Sequence, residues 1–159
     1  MKIRKIKQTD ESQLLALIYK FYIEYNRQKL FSKELLELEA YKNIEKVMRN
    51  TAKRYIHNKK YLVFVAEKDK KLTGYICGQI KSRPNKIFNK EGYIEDWFVD
   101  ETYRNQKIGK SLFNILVNKF KKKNCTHIAT DAYFINKYAI NIYHKLGFMN
   151  YDLKLIKKI

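Results

Sequence analysis

Very little in this sequence breaks a chain or cross-links it. Five glycines and one proline occur among 159 residues, no Gly/Ser-rich linker or repeat is present, and one domain over residues 1–159 is expected. Cys77 and Cys125 are the only cysteines; with no partner spacing for zinc or a disulfide framework, they read as free thiols. No apolar run approaches the roughly 20 residues of a bilayer-spanning helix, the longest lying around Tyr61 to Ala66. Met1-Lys2-Ile3-Arg4 leads into no signal-like apolar stretch, so a cytoplasmic protein with no membrane partner is expected.

Acidic residues are scarce as well. Sixteen Asp and Glu stand against 34 Lys and Arg, a formal net charge of +18. Such a surface attracts nucleic acid, acidic proteins or a phosphorylated cofactor. The lysines are scattered along the chain among many Ile, Asn, Tyr and Phe, the pattern that compositional bias also produces. Nucleic acid is therefore the less favoured partner. What is abundant excludes disorder, because 45% of residues are hydrophobic and 14% aromatic, enough for a core in a chain of this length.

The periodicities predict a mixed α/β (α+β) domain. Lys2 to Gln8 is a weak opening strand, and Asp10 with Gln13 reads as a capping box for a helix bearing Leu14, Leu15, Ile18, Phe21 and Tyr22. Ser32 to His57 reads as helical with one break. Tyr61–Ala66 and Leu72–Ile80 read as a hairpin around the polar turn Glu67 to Lys71, and Tyr93–Val99 as a central strand. A helix from about Ile108 to Lys122, a strand at Ile128–Tyr133, a helix at Lys137–Leu146 and a last strand at Leu153–Ile156 complete the order. Early antiparallel strands and a late strand–helix–strand crossover predict a mixed, mostly antiparallel sheet flanked by helices.

One junction concentrates chemistry. The strand ending at Val99 runs into Arg104-Asn105-Gln106-Lys107-Ile108-Gly109-Lys110-Ser111 and then into an amphipathic helix. A helix start offers unpaired N–H groups and the positive end of its dipole, a seat for phosphate. Arg104, Lys107 and Lys110 add charge there. The alternative is a merely exposed basic turn. The three histidines, His57, His127 and His144, have no triad or metal spacing, and no metal is expected.

Val99, Arg104 and Gly109 in this register, followed by Asn136, Ala139, Tyr143 and Gly147-Phe148, resemble the GNAT superfamily of N-acetyltransferases from about Ile94 to Phe148. Lys107 stands where that family's first signature Gly is expected, and Asn105 where a second is common; a lysine there must accept a strained left-handed conformation or change the turn. The resemblance implies that acetyl-CoA is the cosubstrate, held by the turn Arg104–Ser111 and by Asn136. It also implies a bulged strand whose backbone near Trp97, Phe98 and Val99 holds the pantetheine and the carbonyl oxygen. It makes Glu95 the candidate base for the incoming ammonium, Asp96 a substrate contact, and Tyr143 the acid for the departing thiolate. In a regular strand Glu95 and Asp96 point to opposite faces unless a bulge intervenes. An acidic pocket around Glu95, Asp96 and Glu91 would draw in a cationic amine. The acceptor is an unidentified primary amine of a small molecule or protein, and a homodimer is admitted. The competing reading is a basic nucleic-acid-binding protein of the same fold, either without catalysis or acetylating an aminoacyl group on tRNA.

Overall fold

Residues 1–27 and 32–157 are described by a computed structural model. The elements are β1 (Lys2–Lys5), α1 (Glu11–Arg27), α2 (Lys33–Leu38), α3 (Ile44–His57), β2 (Tyr61–Lys68), β3 (Lys71–Ser82), β4 (Lys90–Val99), α4 (Ile108–Lys122), β5 (His127–Thr130) and α5 (Lys137–Lys145). Short 3-10 turns at Gln8–Asp10 and Glu101–Tyr103 precede α1 and the approach to α4. The strands form one sheet in chain order, antiparallel from β1 to β4, with β5 parallel to β4 after the α4 crossover. This is the mixed, mostly antiparallel sheet that the periodicities predict.

Both faces of the sheet are covered, which explains why β2 and β3 read as nearly continuous apolar runs. Alternate residues serve the two sides. Val63 and Val65 join Tyr75, Cys77 and Phe98 under Leu14, Leu17 and Ile18 of α1 and Met48, Ala52 and Tyr55 of α3. Phe64 and Ala66 join Ile76 and Ile94 under Ile108, Leu112, Phe113, Leu116 and Phe120 of α4. Leu112 and Leu116 are fully buried, and truncating either to alanine costs about 2–5 kcal/mol.

Three expectations need correction. Asp10 and Gln13 form no capping box. Asp10 is buried and accepts bonds from Arg4 Nη1 (2.7 Å), Arg4 Nη2 (2.9 Å) and the Lys7 N–H (2.7 Å). The Arg4 bond, partly opposed by burial, holds the Asp10 carboxyl below its ordinary range. Gln13 instead reaches the β2–β3 turn, accepting from the Leu72 N–H (2.8 Å) and donating to the Lys70 C=O (3.2 Å). Leu153–Ile156 is not a strand, and residues 149–157 hold no regular structure. Finally, Glu91 does not join an acidic pocket. It is buried at the opposite end of β4 from Asp96, against Arg83 (2.9 Å) and His127 (3.1 Å).

Candidate active site

The site begins where β4 and β5 part. Pairing with β5 runs from Glu91 to Ile94 and stops, while β4 continues to Val99. Beyond Ile94 the β5-facing backbone edge of β4 therefore lacks a ladder partner, a slot in which an extended chain with amide groups could bond.

At the mouth of that slot the register with β3 slips. Cys77 pairs with Asp96 and Gly78 with Ile94, so Glu95 is the extra residue of a β-bulge. The consequence is a change of parity. Ile94 packs into the α4-side core, yet two residues on Asp96 lies on the α1/α3 side, accepting from Tyr55 Oη (2.8 Å) and Tyr75 Oη (3.2 Å). Gln79, on the same face as Cys77, donates through Nε2 to Glu95 Oε1. Both carboxylates are thus brought to one face, where a regular strand would have separated them. Burial raises the Asp96 pKa, the two tyrosine bonds pull against that rise, and neighbouring Glu95 adds to it.

Tyr143 approaches from the other side. It lies on α5, with its ring 6.1 Å from Trp97 and 5.5 Å from Phe148, and Trp97 in turn stacks on Phe113 at 5.4 Å. Burial raises its phenol pKa, a hydrogen bond with Thr130 opposes the rise, and the Asp96 charge adds to it. A raised pKa keeps the hydroxyl protonated and able to donate. The spacing around it is explained by helix ends. Asn136 is the N-cap, its Oδ1 accepting from the Ala139 N–H at 3.0 Å. Gly147, at φ 89°, closes the helix as its N–H donates to His144 C=O and Phe148 N–H to Tyr143 C=O; this paired closure is the Schellman motif. Among the described residues, the Asn136 amide nitrogen has no hydrogen-bond partner.

The turn into α4 takes the strained option. Asn105 (φ 62°) and Lys107 (φ 61°) are both left-handed, and Lys107 is the N-cap of α4 without a side-chain cap bond. The first helical amide with a partner is Ser111, which donates to Lys107 C=O; the N–H groups of Ile108, Gly109 and Lys110 precede it at the positive end of the helix. Gly109 permits close packing, since a Cβ there would sit 3.3 Å from the Trp97 ring. Arg104 is fixed through Nε to Val99 C=O (3.0 Å), while Asn105, Gln106, Lys107, Lys110 and Ser111 are exposed.

Sequence reasoning missed the anchor of this turn. Asp100 is buried; its N–H donates to Thr73 C=O, its Oδ1 accepts from Thr102 N–H (3.2 Å) and Oγ1 (2.9 Å), and its Oδ2 accepts from Lys20 Nζ of α1. Burial alone would raise its pKa, but the Lys20 and Thr102 bonds outweigh it and hold the carboxyl below its ordinary range. The signal available in the sequence was an Asp directly after the last strand residue, Val99. The histidines lie elsewhere, His57 near Glu11, His127 on Glu91 and His144 on Asn150. Among the described residues no group of His, Cys, Asp or Glu could hold a metal ion.

Comparison with known proteins bears on the fold and the family. The sequence model of the acetyltransferase (GNAT) family matches residues 18–148. N-alpha-acetyltransferase 30 from Dictyostelium discoideum is 34% identical over 87 residues, 55% of this chain and 45% of that protein. The chain spans about half the length of the curated relatives it matches first. In fold it is similar to a tetramutant of the BH1408 protein from Bacillus halodurans (TM-score 0.83, 21% identity, 100% of both chains). It is also similar to a predicted acetyltransferase with acetyl-CoA from Clostridium acetobutylicum (TM-score 0.74, 21% identity, 99% of this chain and 95% of that one).

Proposed function

The chain belongs to the acetyltransferase (GNAT) family, and on that premise we propose that it transfers acetyl from acetyl-CoA to a primary amine, with Glu95 as base and Tyr143 as acid. The single observation that carries the reading is that the carboxylates of Glu95 and Asp96, the Tyr143 phenol beside Trp97 and the start of α4 against the same Trp97 all adjoin the stretch of β4 that β5 leaves open.

Each residue then has a stated task. The amides of Ile108 to Lys110, with Arg104, Lys107 and Lys110, would hold the pyrophosphate, the helix terminus alone contributing roughly 0.3–2 kcal/mol. The unpaired edge of Trp97 to Val99 would bond the pantetheine amides. Acetyl-CoA supplies the activated thioester. An amine arrives as ammonium, with a pKa near about 10.4, and must lose a proton before it can attack. Glu95 accepts that proton, directly or through water, while Asp96 attracts the cation. Tyr143 donates a hydrogen bond to the sulfur as charge develops on it.

Of the acceptor classes, the relatives' name, N-alpha-acetyltransferase, favours an α-amino group over a side-chain or drug amine. An assay of free thiol release across α-amino peptides, polyamines and aminoglycosides tests this directly. Tyr143→Phe should lower turnover about 100-fold with an unchanged melting temperature; turnover at the wild-type rate would make Tyr143 a packing residue. Glu95→Gln should slow the reaction most at low pH, the loss shrinking as the amine deprotonates unaided. A loss independent of pH would assign Glu95 to positioning.

A further inference from the structure

The two oxygens of Asp96 are treated unequally. Both of its side-chain hydrogen bonds arrive on Oδ2, from Tyr55 Oη of α3 at 2.8 Å and Tyr75 Oη of β3 at 3.2 Å. Among the described residues Oδ1 has no partner, and no lysine or arginine forms an ion pair with either oxygen. A carboxylate oxygen offers two lone-pair directions, so two O–H donors fill Oδ2. Oδ1 alone is left to accept a bond.

The two phenols belong to the core. Tyr55 is 4% exposed and Tyr75 is fully buried. Their rings pack on Tyr61 at 5.3 Å and on Phe98 at 6.4 Å, which fixes where their hydroxyls lie. A buried hydroxyl needs an acceptor, and Asp96 serves both. Burial, with the Asp96 charge adding to it, raises both phenol pKa values, so each stays a donor.

We propose that Tyr55 and Tyr75 are positioning residues that set acceptor specificity: by filling Oδ2 they leave Asp96 one oxygen for the incoming cation, which suits an ammonium and not a guanidinium. The inference rests on the reading that an amine is acetylated at this site. A guanidinium gains its advantage over an ammonium from two parallel N–H bonds to the two oxygens of one carboxylate. Here the second oxygen is already taken. An ammonium is a compact point charge that can bond a single oxygen. Selectivity thus comes from what the carboxylate withholds.

The same bonds keep the carboxylate charged. Burial raises the Asp96 pKa, the Tyr55 and Tyr75 bonds lower it, the Glu95 charge raises it and the Arg54 charge lowers it. Burial also keeps the nearby Cys77 thiol and Tyr143 phenol protonated. Loss of a tyrosine hydroxyl therefore moves Asp96 toward the neutral form, which attracts no cation, and its titration shifts to higher pH.

The test follows Asp96 itself in the full chain. Isotope-edited carboxyl resonances should show its midpoint rising by about one pH unit, tenfold in proton affinity, in Tyr55→Phe. The rise should be smaller in Tyr75→Phe, whose bond is longer, and absent in Tyr61→Phe, which alters only a neighbouring ring. Added n-butylammonium should displace the wild-type Asp96 resonance at concentrations where n-butylguanidinium does not. In Tyr55→Phe that preference should narrow about tenfold. An unmoved midpoint in Tyr55→Phe would overturn the proposal, as would equal binding of the two cations by the wild-type chain. Neither readout depends on turnover, so a chain that releases no thiol with any amine refutes acetyl transfer and leaves both titrations decisive for the tyrosines.

Discussion

Among the described residues, two turns each force a pair of non-glycine residues into the left-handed region, and they do so for different ends. In the β2–β3 hairpin Asp69 (φ 49°) and Lys70 (φ 63°) form the two-residue connection, whose twist requires positive φ at both positions. In the turn before α4, Asn105 (φ 62°) and Lys107 (φ 61°) do the same, but no hairpin demands it. Helix α1 pins both, the hairpin through Gln13 and the other through Lys20 on Asp100. Equal strain and equal anchoring thus serve folding in one place. In the other they present helix N–H groups and basic side chains to one point in solvent. Backbone strain by itself does not mark a site; what the strained turn leaves unpaired does.

Substitutions can break or sharpen that contrast. The largest effect is expected at Arg104, whose removal takes away charge and the bond to Val99. Calorimetry should show acetyl-CoA affinity falling about tenfold, or about 1.4 kcal/mol, whereas Lys71→Ala beside the hairpin should leave it unchanged. Equal effects would erase the distinction.

The two anchors come next. Lys20→Met should raise the Michaelis constant for acetyl-CoA about fivefold while turnover at saturation holds, because the turn loses its tether but the reacting groups stay in place. Gln13→Ala should lower stability by about 1 kcal/mol without altering that constant. A matched rise in both variants would mean that α1 supports the fold generally and not the cofactor turn in particular.

The smallest effects test the strain. Lys70→Gly and Lys107→Gly should each raise stability by about 1 kcal/mol in denaturant unfolding, since glycine adopts positive φ freely. Only Lys107→Gly should weaken acetyl-CoA binding, about threefold, through loss of the ammonium beside the phosphates. Tighter binding would remove the direct contact and leave strain as the whole consequence of lysine at this position.

What the sequence disclosed was local. The frame from Asn136 to Phe148 is legible because it consists of one helix and its two caps, each bond spanning a few residues. The hairpin and the β4–α4 junction are legible for the same reason. What escaped was long-range: Tyr55 and Tyr75 on Asp96, and Lys20 on Asp100, join residues 41, 21 and 80 positions apart. The bulge at Glu95 depends on the register with β3, and alternation within a single strand cannot reveal it. The expected strand at Leu153–Ile156 has the alternation of a strand but joins no sheet among the described residues.

The central claim is that phosphate binds at the start of α4 and the pantetheine along the open edge of β4. Titrating the isotope-labelled chain with acetyl-CoA while following backbone amide resonances tests it most directly. The account predicts the largest shifts at Ile108, Gly109 and Lys110 and along Trp97 to Val99, with Asp69 and Lys70 unmoved. Saturable binding whose shifts fall elsewhere, or no binding at all, would contradict it.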